Sequence, residues 1–297
     1  VGMGKGLHDK YSLIQGLFKE ADDTLGFSLS SLILNGSKEE LDLTENTQPA
    51  IFLVSYSIFR LIKEEFNTDL NKATFFAGHS LGEYSALASA GSLSFSDTLK
   101  ILNIRGKAMQ NSVPKGVGGM IAVLGSEIKN IENIIEENKT RYECFIANDN
   151  SEGQIVLSGK IDDLEKMMID LKAANIKIIK LPVSAPFHCK LMNKATLVMS
   201  EEISKLNFKE PKTTLISNVT GKEIFDSNEL KDLLVKQIEN RVRWRESVML
   251  MINKGVNQFI EIGPGKVLSG LIKRIDRSVK ISAINSEEDI NLININE

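Results

Sequence analysis

"FFAGHSLGEYSAL", residues 75–87, passes from a short apolar run through Gly-x-Ser-x-Gly into an alanine-rich segment. The run "KATFFAG" (72–78) is apolar and closed by glycine, which predicts a buried strand. "LGEYSALASAG" (81–91) predicts a helix that stops at Gly91. Strand, sharp turn and helix, with Ser80 at the turn, is what a nucleophile elbow requires, and it points to an α/β fold. A serine hydroxyl is a poor nucleophile unless a base takes its proton as it attacks. Flanking glycines let the backbone adopt a strained turn and let a substrate approach. The helix starting at Leu81 aims free N–H groups, the Leu81 amide foremost, at an oxyanion forming on the attacked carbonyl. The competing reading is a hydroxyl that merely sits where a strand becomes a helix.

The base is reached by elimination, because the chain has only 3 histidines. His8 lies in the N-terminal stretch. His79 directly precedes Ser80, so its side chain should point away from it and is read as pocket-lining. His188, in "SAPFHCKL", is the remaining candidate. Hydrolases usually orient such a base with a carboxylate. No Asp or Glu stands out for that role, and a backbone carbonyl can fill it, so a Ser80–His188 dyad is expected. Cys189 adjoins the candidate base and reads as a small buried hydrophobe.

The segment 94–113, "SFSDTLKILNIRGKAMQNSV", predicts a helix with serine capping candidates. At helical spacing Lys100, Asn103, Lys107, Gln110 and Asn111 fall within an arc of roughly 100°. Leu99, Ile101, Leu102, Ile104, Ala108 and Met109 fill the other side, and Arg105 lies near the middle of that apolar face. A guanidinium cannot shed its charge there, so burial demands a counter-charge. It is either a structural pair, an arginine reaching to the edge, or a fork that holds a substrate carboxylate bidentately.

Composition bounds the class. The 297 residues are 42% hydrophobic and 25% charged, with a net charge of -3 and both signs interspersed. That is an ordinary globular profile, with no electrostatic footprint for nucleic acid or a membrane surface. No apolar run nears the roughly 18 residues of a membrane span, and "VGMGKGLHDKYSL" has no signal-peptide pattern. The 2 cysteines, Cys144 and Cys189, have no metal-ligand spacing. A cytoplasmic protein without a metal is expected. "GPGK" (263–266) is not a Walker loop, since Ile260 and Val267 stand where that motif needs Gly and Ser/Thr.

A glycine-rich hinge, "PKGVGGMIAVLG" (114–125), changes the texture of the chain. From there to "IIKLPVSAPFH" (178–188), short strands alternate with amphipathic helices near 128–138 and 160–173. That order predicts an inserted ferredoxin-like domain, 114–185, within a large α/β catalytic domain made of 1–113 and 186–297. "TTLISNV" (213–219) and "QFIEIG" (258–263) are the later strands of its parallel core.

Together these residues resemble the malonyl-CoA:acyl carrier protein transacylases of bacterial type II fatty acid synthesis, a family related to the acyltransferase domains of larger synthases. The resemblance spans the whole chain through "GHSLGEYSAL", "RGKAMQ", "APFHCKLM", "SNVTG", "LLVKQIENRVRW" and "EIGPGKVLSGL". It implies an α/β-hydrolase-like large domain with a ferredoxin-like small one. It implies Ser80 as acyl-accepting nucleophile, His188 as base, Leu81 in the oxyanion hole and Arg105 as clamp for the malonyl carboxylate. Gln237 would orient the histidine through its backbone carbonyl. The family opens with a strand and a Gly-Gln-Gly-Ser-Gln loop that supplies the second oxyanion-hole amide. Val1 stands just past where that loop would end, so this second donor is not assigned.

The implied reaction is a ping-pong transfer of malonyl from malonyl-CoA to holo acyl carrier protein, with CoA thioester as substrate and no cofactor. A monomer is expected. Phe187, beside the base, would crowd a branched acyl group, which favours malonyl. Lys190, Lys266, Lys273, Arg274 and Arg277 are candidates for a basic rim facing the acidic carrier protein. The rivals are a serine thioesterase or esterase on the same elbow, and a non-catalytic acyl-binding module. Breakdown of the acyl-enzyme by water would favour the first, and absence of any adduct the second.

Overall fold

The computed structural model describes residues 1–183, 185–224 and 226–293. It divides into two units. One comprises Val1–Gly106, Leu206–Ile216 and Ile252–Glu297; the other comprises Lys107–Lys205 and Ser217–Met251.

The first unit is built on the helix Thr44–Glu64, which buries Phe52, Leu53, Val54, Ile58, Leu61 and Ile62. Pro49 lies inside it and has no N–H to give the carbonyl four residues back, that of Glu45. Asn103 Nδ2 donates to that carbonyl instead, at 2.9 Å. This corrects the helical-wheel expectation for Asn103, which is buried rather than solvent-facing. Gly106, one turn along, lets the helix Phe95–Asn111 approach closely, since a Cβ there would stand 2.4 Å from the Thr44 carbonyl oxygen. The rest of the apolar face behaves as its period predicts, with Leu99, Ile101, Leu102 and Met109 buried.

The strands of this unit pair in parallel. β1 (Phe75–Phe76) aligns Phe75 with Thr214 and Phe76 with Leu215 of β6 (Thr214–Ile216). β8 (Gln258–Ile262) aligns with β9 (Lys280–Ile284) along its full length. Parallel pairs require crossovers, and the helix Leu81–Ser89 leaves directly from β1 to begin one.

The second unit holds β2 (Gly118–Leu124), β3 (Cys144–Ser151), β4 (Gln154–Lys160) and β5 (Lys177–Lys180) in one antiparallel sheet of order β3-β4-β2-β5. The helices Ile128–Glu137 and Ile161–Ala173 join β2 to β3 and β4 to β5. This is the expected ferredoxin-like layer. Ile121, Val123, Ile131, Leu157, Leu164, Met167 and Leu171 form its core. β7 (Glu223–Ile224) is a short strand of the same unit.

Later segments attach to this layer. Val242 pairs in parallel with Asn148 on the outer edge of β3, its N–H donating to the Ala147 carbonyl at 2.8 Å. Gly118 leaves room for Pro186, whose Cδ would lie 2.4 Å from a Cβ at that position.

Candidate active site

The first unit carries the elbow. Ser80 has φ 55 and ψ -111, a backbone state that costs on the order of 1–3 kcal/mol outside glycine. Two bonds hold it there, from Gly82 N–H to the His79 carbonyl at 2.9 Å and from Glu83 N–H to the Ser80 carbonyl at 3.1 Å. The two motif glycines serve different ends. A Cβ at Gly78 would stand 1.9 Å from the Gly82 carbonyl oxygen, so only glycine lets the strand end meet the helix start. A Cβ at Gly82 would meet nothing within 4 Å, so that glycine borders open space. The Leu81 N–H, first in its helix, has no acceptor among the described residues and remains available to an oxyanion. His79 is half-buried.

Arg105 is only 1% exposed, and its fork reaches the serine: Nη2 donates to Ser80 Oγ at 3.1 Å and Nη1 to Gln48 Oε1 at 2.7 Å. The guanidinium also lies 5.6 Å from the centre of the Tyr84 ring. Burial pushes Arg105 below its usual value, against the pull of Tyr84 and the buried Glu83, yet an arginine starts so high that it stays charged at neutral pH. Burial likewise pushes the Tyr84 phenol up to about 12, which keeps it neutral beside the cation. Sequence reasoning passed over Gln48 and Tyr84. The available signal was Gln48 itself, the last polar residue of the helix start "TENTQ" before the apolar run that Pro49 opens.

The second unit carries the histidine. His188 is 4% exposed and, like Ser80, has a positive φ, 58. Its Nδ1 lies 2.9 Å from the Gln237 carbonyl oxygen. A carbonyl only accepts, so Nδ1 bears the proton and Nε2 keeps its lone pair, as a general base requires. Gln237 ends the helix Ser227–Gln237, whose last turn turns its carbonyls outward from the helical ladder. Gln237 is itself buried, with Nε2 donating to Asn218 Oδ1 at 3.5 Å. His188 opens on a cleft of about 510 Å³ shared with Cys144, Phe145, Ile146 and Val219.

Phe187 is half-buried and packs against Met120, Ala147 and Val156. Cys189 is buried, its thiol donating to the Pro186 carbonyl at 3.1 Å and pushed up by burial, as suits a packing residue. Ser80, Leu81, His79 and Arg105 thus belong to the first unit, and Phe187, His188 and Gln237 to the second.

A second cleft, about 590 Å³, opens beside Gly265, Lys266, Ser269 and Asn285 and contains none of these groups. The helix Val267–Ile275 behind it already has an anion at its N-terminus: the Glu261 carboxylate accepts from Leu268 and Ser269 N–H at 3.0 and 2.7 Å. That leaves no phosphate cradle in "GPGK". Among the described residues no cluster of His, Cys, Asp or Glu is placed to hold a metal, and no helix is long and apolar enough to cross a membrane.

A family model described as acyl transferase domain matches residues 1–290. The malonyl CoA-acyl carrier protein transacylase of Bacillus subtilis (strain 168) is 40% identical over 294 residues, which is 98% of this chain and 92% of the relative. The crystal structure of an acyl-carrier-protein-S-malonyltransferase from Bartonella henselae matches with a TM-score of 0.95 and 41% identity, covering 98% of this chain and 93% of that one. A malonyl-transacylase solved in complex with its type II polyketide acyl-carrier protein matches with a TM-score of 0.93 and 36% identity, covering 98% and 94%. The chain therefore belongs to the acyltransferase family, in its malonyl-CoA:acyl carrier protein transacylase branch.

Proposed function

We propose that the protein moves a malonyl group from malonyl-CoA to the phosphopantetheine thiol of acyl carrier protein, through a malonyl ester on Ser80. One observation carries the choice of acyl group: a fully buried guanidinium donating to the candidate nucleophile at 3.1 Å. A short diacid esterified to Ser80 Oγ can fold its carboxylate onto that fork. An acetyl group has nothing to offer it, and a fatty acyl chain would lay methylenes against a desolvated charge. Charge-assisted hydrogen bonds of this kind contribute about 1.5–3 kcal/mol, a preference of roughly 10- to 100-fold for malonyl.

In the first half-reaction Ser80 Oγ attacks the thioester carbonyl while His188 Nε2 takes its proton. The Leu81 amide stabilises the oxyanion, the C–S bond breaks, and CoA leaves as a thiol with the proton from His188. In the second, the carrier-protein thiol gives its proton to His188 and attacks the malonyl ester. The bond to Ser80 Oγ breaks and the proton returns to that oxygen. The Gln237 carbonyl keeps His188 in the required tautomer, while His79 and Phe187 line the acyl pocket. Exposed Lys190, Lys266, Lys273, Arg274 and Arg277 suit an acidic carrier protein.

We take the protein as a monomer whose catalytic domain, 1–113 and 186–297, receives 114–185 as an insertion. The latter is supported by the whole four-stranded layer falling between Gly118 and Lys180. Intact mass after brief exposure to malonyl-CoA tests the central reading. A single malonyl adduct that discharges onto holo carrier protein faster than onto water is the expected result. Equal loss to water would make the protein a thioesterase, and no adduct would make it a binding module.

A further inference from the structure

Five residues after Gln237, the chain is fastened to the sheet with unusual thoroughness. Val242 N–H donates to the Ala147 carbonyl at 2.8 Å, and Asp149 N–H donates to the Val242 carbonyl at 2.9 Å. Arg243 N–H donates to the Asn218 carbonyl at 2.9 Å, which ties the same segment to the residue holding the Gln237 side chain. The next residue but one closes the arrangement. Arg245 Nε bonds Asp149 Oδ1 and Oδ2 at 3.0 and 3.1 Å, and its Nη2 bonds Oδ2 at 2.9 Å.

Asp149 is 1% exposed, in an edge strand whose register slips on either side of it, between Ile146 and Asn148 and between Asp149 and Ser151. Bulges re-aim side chains, and here the strand turns a carboxylate inward on a sheet edge. Burial pushes that carboxyl up while the Arg245 fork pulls it back down. An ion pair so placed adds little net stability over apolar packing, but it fixes geometry and is costly to break on one side.

We infer that the Asp149–Arg245 pair is a positioning element for His188: it locks segment 238–245 onto the β3 edge and so fixes where the Gln237 carbonyl points. This rests on the reading of His188 as the base. A peptide carbonyl has no rotamer of its own, and its direction is set by the chain on both sides. On one side Gln237 is held by its helix, and on the other by this clamp. A swing of the carbonyl weakens a 2.9 Å bond and loosens both the ring and its tautomer.

The test is a rapid-quench measurement of malonyl loading on the full chain across pH 5–9, per active site titrated. Wild type, Asp149→Asn, Arg245→Leu, Arg245→Lys and His188→Ala are compared. With the clamp broken, loading at saturating malonyl-CoA should fall about tenfold or more with KM within twofold. The acid limb should also move to lower pH, because the carbonyl that favours the imidazolium is no longer aligned. Glu132, Glu136, Lys190, Glu239, Arg241 and Arg243 share the cleft with His188 and are the same in every variant. The charges removed act in opposite senses, Asp149→Asn lowering and Arg245→Leu raising the pKa of a nearby imidazole, so a limb that moves to lower pH in both reports the clamp.

Arg245→Lys keeps the charge opposite the buried carboxylate but not the fork, and should fold and fall between wild type and Arg245→Leu. A merely structural pair would lower the melting temperature and the titrated fraction, leaving the per-site rate unmoved and no common shift of the limb to lower pH in Asp149→Asn and Arg245→Leu. That result overturns the inference. If His188→Ala loads at the wild-type rate, the reading of His188 as base fails first and takes the clamp with it. Loss of loading in His188→Ala alone, with the clamp variants unaffected, removes only the clamp.

Discussion

The serine and histidine regions are held in place over very different distances along the chain. The glycine that must be small, the two short backbone bonds and the helix start that shape the turn at Ser80 lie within residues 78–83. His188 is oriented by a carbonyl 49 positions away, and that carbonyl's segment is pinned by an ion pair whose partners are 96 positions apart. Both residues sit at positive φ, at 55 and 58, but the bonds at the Ser80 turn are local whereas the His188 ring is held from far along the chain. A nucleophile can be built from a short motif because its geometry is that of a turn. A base needs a direction, and direction comes from whatever packs around it.

Ser80→Ala makes the largest break. It should abolish the malonyl adduct and lower transfer on the order of 10³-fold or more while the protein stays folded, which intact mass and calorimetry check. Arg105→Ala comes next. It should cut the preference for malonyl-CoA over acetyl-CoA by roughly 10- to 100-fold, read as a ratio of kcat/KM, because it removes the fork and not the nucleophile.

The two elbow glycines sharpen the contrast within one stretch. Gly78→Ala forces a backbone clash and should cost about 1–3 kcal/mol or more in denaturant unfolding. Gly82→Ala should leave stability level or raise it by up to about 1 kcal/mol, while slowing loading by crowding the open side of the turn. A further effect on stability concerns the Arg105 helix. Asn103→Ala strands the Glu45 carbonyl and should cost about 1–2 kcal/mol. In a Pro49→Ala background, where residue 49 again has an N–H for that carbonyl, the same change should cost less, and a double-mutant cycle measures the difference.

These contrasts also mark how far the sequence can be read. The elbow was legible because strand, glycine, serine and helix are contiguous and each has a local physical signature. The ferredoxin-like layer was legible for a similar reason: its strands and helices alternate in short pieces with clean periods, while the sheet order β3-β4-β2-β5 came from the structure. Arg105 was legible as a charge on an apolar face, and His188 as the histidine left over. Asn103 was misread because a helical wheel cannot see that Pro49 has left a carbonyl without its donor on a neighbouring helix.

By itself, then, the sequence determined the class of fold and marked a candidate nucleophile, an arginine on an apolar face and the absence of any obvious acid to orient a base. These follow from period, residue type and spacing, which are properties of neighbouring positions. Only the tertiary structure decided that Arg105 donates to Ser80 and Gln48, that Tyr84 lies beside it, and that β3 grips the chain beyond Gln237 through Asp149 and Arg245. Such contacts join residues tens of positions apart, and no local propensity encodes them. They exist because buried charges and buried carbonyls must find partners wherever the folded chain can supply them.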